Sequence, residues 1–240
     1  MRGGAAWSAL RSTVFLLGVF APAIVALALS ARERGRAGAW ALVARIGRWR
    51  VGGRWYLFAA FYMAAVKLTV AVVHRVATGA WPRFGDTPWF IMALAVVTSM
   101  WFQAGEEIGW RGYALPRLAE RMTPAAASVL LGVIWAAWHL PLFYILGGDT
   151  VGQSFPLYLL QITALSVAMA WLYFRTSASL LLVMLMHAAV NNTKDIVPSA
   201  GATMANPMSF AGTLVFRLTV AVMWVAAAYF LLTMRRADAQ

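Results

Sequence analysis

The stretch Trp89-Phe-Ile-Met-Ala-Leu-Ala-Val-Val-Thr-Ser-Met-Trp-Phe-Gln-Ala-Gly-Glu106-Glu107-Ile-Gly-Trp-Arg111 carries no charge until it sets two carboxylates side by side. An apolar run of that kind predicts a helix entering a hydrocarbon core. The whole chain has only eight acidic residues and three histidines. A carboxylate pair inside hydrophobic sequence is costly there, so it marks a functional site by default.

Outward from that stretch, the 240 residues are 62% hydrophobic and 12% charged, where soluble domains average about 25% charged. Several runs reach the roughly 20 residues that span a bilayer as helix, and none shows the short alternating segments of a membrane barrel. The fold class is therefore all-α, a polytopic helical membrane protein forming one domain over 1–240. A net charge of +12 does not require nucleic acid as a partner, because the arginines cluster between apolar runs, where membrane topology explains them. With no cysteine there is no disulfide and no thiol nucleophile.

The expected runs are Thr13–Ser30, Trp55–Ala77, Trp89–Gly109, Pro124–Leu146, Pro156–Phe174, Ala178–Val197 and Phe210–Met234, about seven transmembrane helices. The first has features of a signal peptide, but the arginines that follow it (Arg32, Arg34, Arg36, Arg45, Arg48, Arg50 and Arg54) resist export, so it is retained as a spanning helix. That basic segment, with Trp40 and Trp49 among its arginines, suits either a helix lying among lipid headgroups or a solvated loop. Gly79–Pro88, Gly147–Ser154 and Pro198–Pro207 read as connections, and Asp149 and Asp195, toward the outer side, read as solvated. With the N-terminus outside, thirteen arginines, Arg235 and Arg236 among them, fall on inner segments and five basic residues on outer ones. The bias predicts a multi-pass protein of the cell membrane with its C-terminus in the cytoplasm.

Within the runs the conspicuous polar groups are Glu106, Glu107, His139, His187 and Asn191. Thr123 and Pro124 mark the turn of a hairpin; Glu106 lies 17 residues before Thr123 and His139 16 after it. Both then stand about 25 Å from the hairpin tip, at equal depth. Residues four apart share a helix face, which joins His187 to Asn191, Glu107 to Arg111 and Trp135 to His139, while Glu106 turns about 100° from Glu107. Glu107 and Arg111 thus read as an internal ion pair, leaving Glu106 for chemistry. Amide hydrolysis needs a base for water and donors for the oxyanion; Glu106 with His139 can supply the first, and His187 with Asn191 the second. A divalent metal such as zinc is the competing use of two histidines and a glutamate, although no His-Glu-x-x-His is present. Each residue also has a plainer use. A histidine can hydrogen-bond between helices, Glu-Glu-x-x-x-Arg can be an interfacial ion-pair cluster, and His187 with Asn191 can line a transporter's path. His74, beside Arg75 at the end of its run, reads as interfacial, and Arg217 is left unassigned.

Glu106-Glu107-Ile-Gly-Trp-Arg111, Trp135-Ala-Ala-Trp-His139 and His187-Ala-Ala-Val-Asn191 resemble, in order and context, the three motifs of the CPBP family. These are intramembrane proteases related to the type II CAAX prenyl endopeptidases and grouped with bacteriocin-processing and self-immunity proteins. The resemblance implies a helical bundle with a conical active-site cavity and a protease core at about 89–197. It implies an endopeptidase acting on a peptide or lipidated-peptide substrate among membrane lipids. Glu106 and His139 would activate water, His187 and Asn191 would stabilise the oxyanion, and Glu107, Arg111 and Trp135 would support them. The family is often called metalloprotease, and a metal-free glutamate mechanism is argued for it too. Its second motif commonly begins with Phe, where this chain has Trp135. The alternative is a non-catalytic scaffold or self-immunity protein that keeps the fold.

Overall fold

A computed structural model describes residues 2–145, 150–199 and 206–234, with side chains from Thr13 onward. Leu146, Asp149, Arg235 and Arg236 lie outside the described residues, as do parts of the two connections that contain them or precede the last run. Among the described residues every regular element is helical: α1 Arg2–Val43, α2 Gly53–Thr78, α3 Trp89–Ser99, α4 Ala104–Glu107, a π-helical turn Ile108–Ala114, α5 Leu115–Ala119, α6 Pro124–Trp138, α7 Phe155–Arg175, α8 Leu180–Thr193 and α9 Leu214–Thr233.

Each expected run contains a helix, but their lengths differ. Four helices, within Thr13–Gly47, Gly53–Thr78, Phe155–Arg175 and Leu214–Thr233, are long and apolar enough to cross a membrane; Trp89–Ser99 and Pro124–Trp138 are shorter apolar helices. The third run breaks between Ser99 and Ala104 and resumes through the π turn. The fourth stops at Trp138, with His139 as its cap. Pro141 explains the stop, since proline withholds a donor and disfavours helical backbone in the residue before it. Starts are set by hydroxyl caps: the oxygens of Thr123, Ser154, Ser179 and Thr213 accept from the N–H groups of Ala126, Leu157, Leu182 and Phe216.

Cross-links between segments define two poles. At one, Arg45 Nη1 donates to the Gly112 carbonyl and the Tyr173 hydroxyl, both at 2.8 Å, Ser179 Oγ to the Arg48 carbonyl at 2.6 Å, and Arg175 to the Thr233 carbonyl at 3.3 Å. At the other, Gly85 N donates to Ile196 O at 3.2 Å, Phe155 N to Pro207 O at 2.8 Å, and Thr213 Oγ1 to Ser199 O at 2.7 Å. Successive runs alternate between these poles, so the short helices still follow the expected up-and-down order.

The basic segment is helical as far as Gly47 and largely exposed. α1 bends at Arg34 and Gly35, where Gly35 adopts φ +65°, a backbone that a Cβ disfavours. Beyond the bend Leu42 is buried while Trp40 stays 71% exposed. His74 hydrogen-bonds the Ala80 carbonyl at the far end of α2.

Helix α8 is the centre, with His187 and eight apolar residues of its length buried. Its neighbours approach closely through small residues, as lipid-embedded helices require. A Cβ on Gly109 would stand 2.5 Å from the Pro22 carbonyl carbon of α1, and one on Gly132 would stand 2.7 Å from Thr163 Cα of α7. Ser166 Oγ donates to the Ser128 carbonyl at 2.9 Å across α6 and α7. Large apolar side chains cover the outside, among them Leu57, Phe61, Trp89, Leu94, Val225 and Leu232. With mean hydropathy +0.71, this is the surface of a membrane protein.

Candidate active site

Three elements deliver the polar groups. α4 carries Glu106 and Glu107 into the π turn, which holds Arg111. The end of α6 carries Trp135 and His139. α8 carries His187 and Asn191. π turns insert one extra residue into a helix and recur at functional sites; here the turn begins directly after Glu107.

The two carboxylates have separate surroundings. Glu107 has no exposed surface and receives Arg111 Nη1 at 3.0 Å on Oε1 and 3.1 Å on Oε2, and His187 Nδ1 at 2.7 Å on Oε1. Glu106, 7% exposed, accepts one side-chain bond among the described residues, from the indole Nε1 of Trp135 at 2.7 Å on Oε2. Arg111, likewise without exposed surface, lies with its guanidinium carbon 4.0 Å from the centre of the Trp135 ring. That stacking partly compensates its Nε and Nη2, which have no hydrogen-bond partner among the described residues.

Trp135 is the hub. Its carbonyl accepts from His139 Nδ1 at 2.8 Å, and its ring meets those of His139 and His187 edge-on, with centroids 5.7 and 5.2 Å apart. A carbonyl can only accept, so His139 carries its proton on Nδ1 and keeps a lone pair on Nε2. By the same reasoning His187 gives its Nδ1 proton to Glu107, an acceptor already charge-paired with Arg111. The structure thus brings Glu106, Glu107, Arg111, Trp135, His139 and His187 into one cluster. Asn191, one turn beyond His187, is exposed and marks the edge of that cluster.

Some neighbours carried no sequence signal. Trp138 and Tyr158 hold the His139 ring edge-on at 4.8 and 5.7 Å. Asn192 Nδ2 donates to Ser99 Oγ at 2.9 Å and to the Ala188 carbonyl at 2.8 Å, fixing α8 to the broken end of α3. The Asn191-Asn192 pair was visible in the sequence; the division of labour within it depends on helix phase.

As a metal site the residues do not fit. No group of three His, Asp or Glu side chains among the described residues converges as ligands, and Glu107 already serves Arg111 and His187. A zinc site needs at least three protein ligands about one ion.

Residues 85–193, which hold all seven of these positions, match the sequence model of the Rce1-like type II CAAX prenyl endopeptidases. This segment is similar to the Rce1-like family. The CAAX prenyl protease 2 of Methanococcus maripaludis is 29% identical over 98 residues, covering 38% of this chain and 36% of the relative. The chain thus spans about a third of the length of that curated relative. The matched range contains α3 to α8, whereas α1, α2 and α9 lie outside it.

Proposed function

We propose that this protein is an intramembrane endopeptidase that hydrolyses a peptide bond of a membrane-associated substrate, of the prenylated CAAX type that its relative's name describes. The observation that carries the reading is the split between the carboxylates. Glu107 is locked between Arg111 and His187, whereas among the described residues Glu106 has a single side-chain donor, Trp135, and keeps Oε1 for water.

Glu106 takes the proton of a water whose other neighbour is the free Nε2 of His139, and the water oxygen bonds to the carbonyl carbon. The oxyanion so formed is held by the Asn191 amide and by His187, four residues apart on one face of α8. Collapse breaks the C–N bond, and the proton on Glu106 passes to the leaving amine. Lipids are the surrounding partner, and the arginine-rich pole, with the C-terminus, faces the cytoplasm.

The test is turnover of a fluorogenic peptide with a farnesylated cysteine four residues from its C-terminus, by protein purified into lipid nanodiscs. Removing a general base costs about 10²–10⁴-fold, so Glu106→Gln is expected to lose at least a hundredfold (roughly) in kcat. Undiminished turnover by Glu106→Gln would sink the catalytic assignment of Glu106, whereas no turnover by the wild-type protein would favour a scaffold or self-immunity protein that keeps the fold.

A further inference from the structure

Phenylalanine would fill the same aromatic wall as Trp135, but it has no N–H to donate. In this chain the indole Nε1 meets Glu106 Oε2 at 2.7 Å, the only hydrogen bond Glu106 receives from a side chain among the described residues. The residue is 1% exposed and the carboxylate 7%, so water competes little for either partner. The rest of the tryptophan is immobilised: Arg111 stacks on its ring, both site histidines pack edge-on against it, and its own carbonyl receives His139. A rigid donor to one carboxylate oxygen fixes the rotation of the carboxylate and so the direction of the other oxygen.

We propose that Trp135 is a positioning residue: its indole N–H holds Oε2 of Glu106 and thereby aims Oε1 at the water to be activated, a role that rests on Glu106 being the base. The backbone of the same residue orients His139, so one side chain and one carbonyl set both halves of the water site. Geometry errors of about 1 Å cost around a hundredfold in rate, and charge-assisted hydrogen bonds are about twice as strong as neutral ones.

The experiment replaces Trp135 in two ways in the full-length protein in nanodiscs, with the farnesylated peptide above as the probe. Trp135→Phe removes the donor and part of the ring. Site-specific incorporation of β-(3-benzothienyl)alanine at 135 keeps the bicyclic shape and exchanges only N–H for sulfur. Both are expected to lower kcat about 10- to 100-fold while KM stays within about twofold, and the benzothienyl protein is expected to unfold at the wild-type temperature. Wild-type kcat in the benzothienyl protein overturns the role, as does a loss confined to KM. Glu106→Gln run alongside separates the two readings. If it is inactive while the benzothienyl protein is fully active, only the positioning role falls; if it is fully active, the base assignment falls and the role with it.

Discussion

Two adjacent glutamates with opposite fates show how local surroundings divide chemistry between identical side chains. Glu107 is charge-paired with Arg111 without exposed surface on either side chain, and such a pair is most costly when half of it is removed. Arg111→Leu would leave Glu107 buried with only His187, and is expected to destabilise the protein by about 3–5 kcal/mol, read as a lowered unfolding midpoint in detergent. Arg111→Lys keeps the charge and one nitrogen donor, as Nη1 supplies here, but loses the flat guanidinium face stacked on Trp135, so it is expected to recover only part of that loss. At this scale the four-residue spacing revealed the Glu107–Arg111 pair, and the hairpin count pointed from Glu106 to the end of α6, where Trp135 meets it. The sequence could not reveal that the link from Glu106 to His139 runs through Trp135. That depends on the azimuth of one helix against another, which no spacing within a single helix determines.

Helix starts were legible where a proline follows the cap, at Pro124 after Thr123 and Pro156 after Ser154; the starts set by Ser179 and Thr213 lie after the expected Ala178 and Phe210, because a lone hydroxyl cap is a weaker signal than a proline. Interruptions were not legible. The gap between Ser99 and Ala104 and the π turn Ile108–Ala114 contain no proline, and apolar residues around them satisfy a 3.6-residue period as well as any other. What the π turn does is visible only in packing. Gly105 and Gly109 are four apart, and a Cβ on either would stand within 2.8 Å of the α1 backbone at Val19 or Pro22. This is the close backbone contact that small residues permit between membrane helices. Gly109→Ala must therefore part α1 from the site-bearing segment. It is expected to cost about 1–3 kcal/mol, the usual range for overpacking, and to lower kcat because Glu106 and Glu107 ride on the displaced turn. Retained stability and turnover would show that α1 is not needed to hold that turn.

The two poles give the molecule a direction that the site shares. His139 ends a helix that starts at the arginine-rich pole, and its 15 residues carry it about 22 Å across the bilayer. Glu107 and Arg111 close the arginine side of the cluster, whereas Asn191 is exposed on the other side. Charge bias in the sequence predicts which pole is cytoplasmic, but it is silent on which side the cluster opens, because that depends on how α4, α6 and α8 converge. The lack of cysteine makes both questions measurable with single-cysteine variants and a membrane-impermeant maleimide on sealed, right-side-out vesicles. Arg83→Cys, in the connection before α3, is expected to label from outside; Arg36→Cys, beyond the α1 bend, is expected to label only after permeabilisation. Reversal of that pair would overturn the orientation. Asn191→Cys is expected to label with Arg83→Cys, since the closed end of the cluster separates it from the arginine pole. Labelling together with Arg36→Cys would instead mean that water reaches Asn191 past Arg111. In that event the buried Glu107–Arg111 pair is a gate that opens during turnover, and Arg111→Leu would raise the labelling rate at position 191.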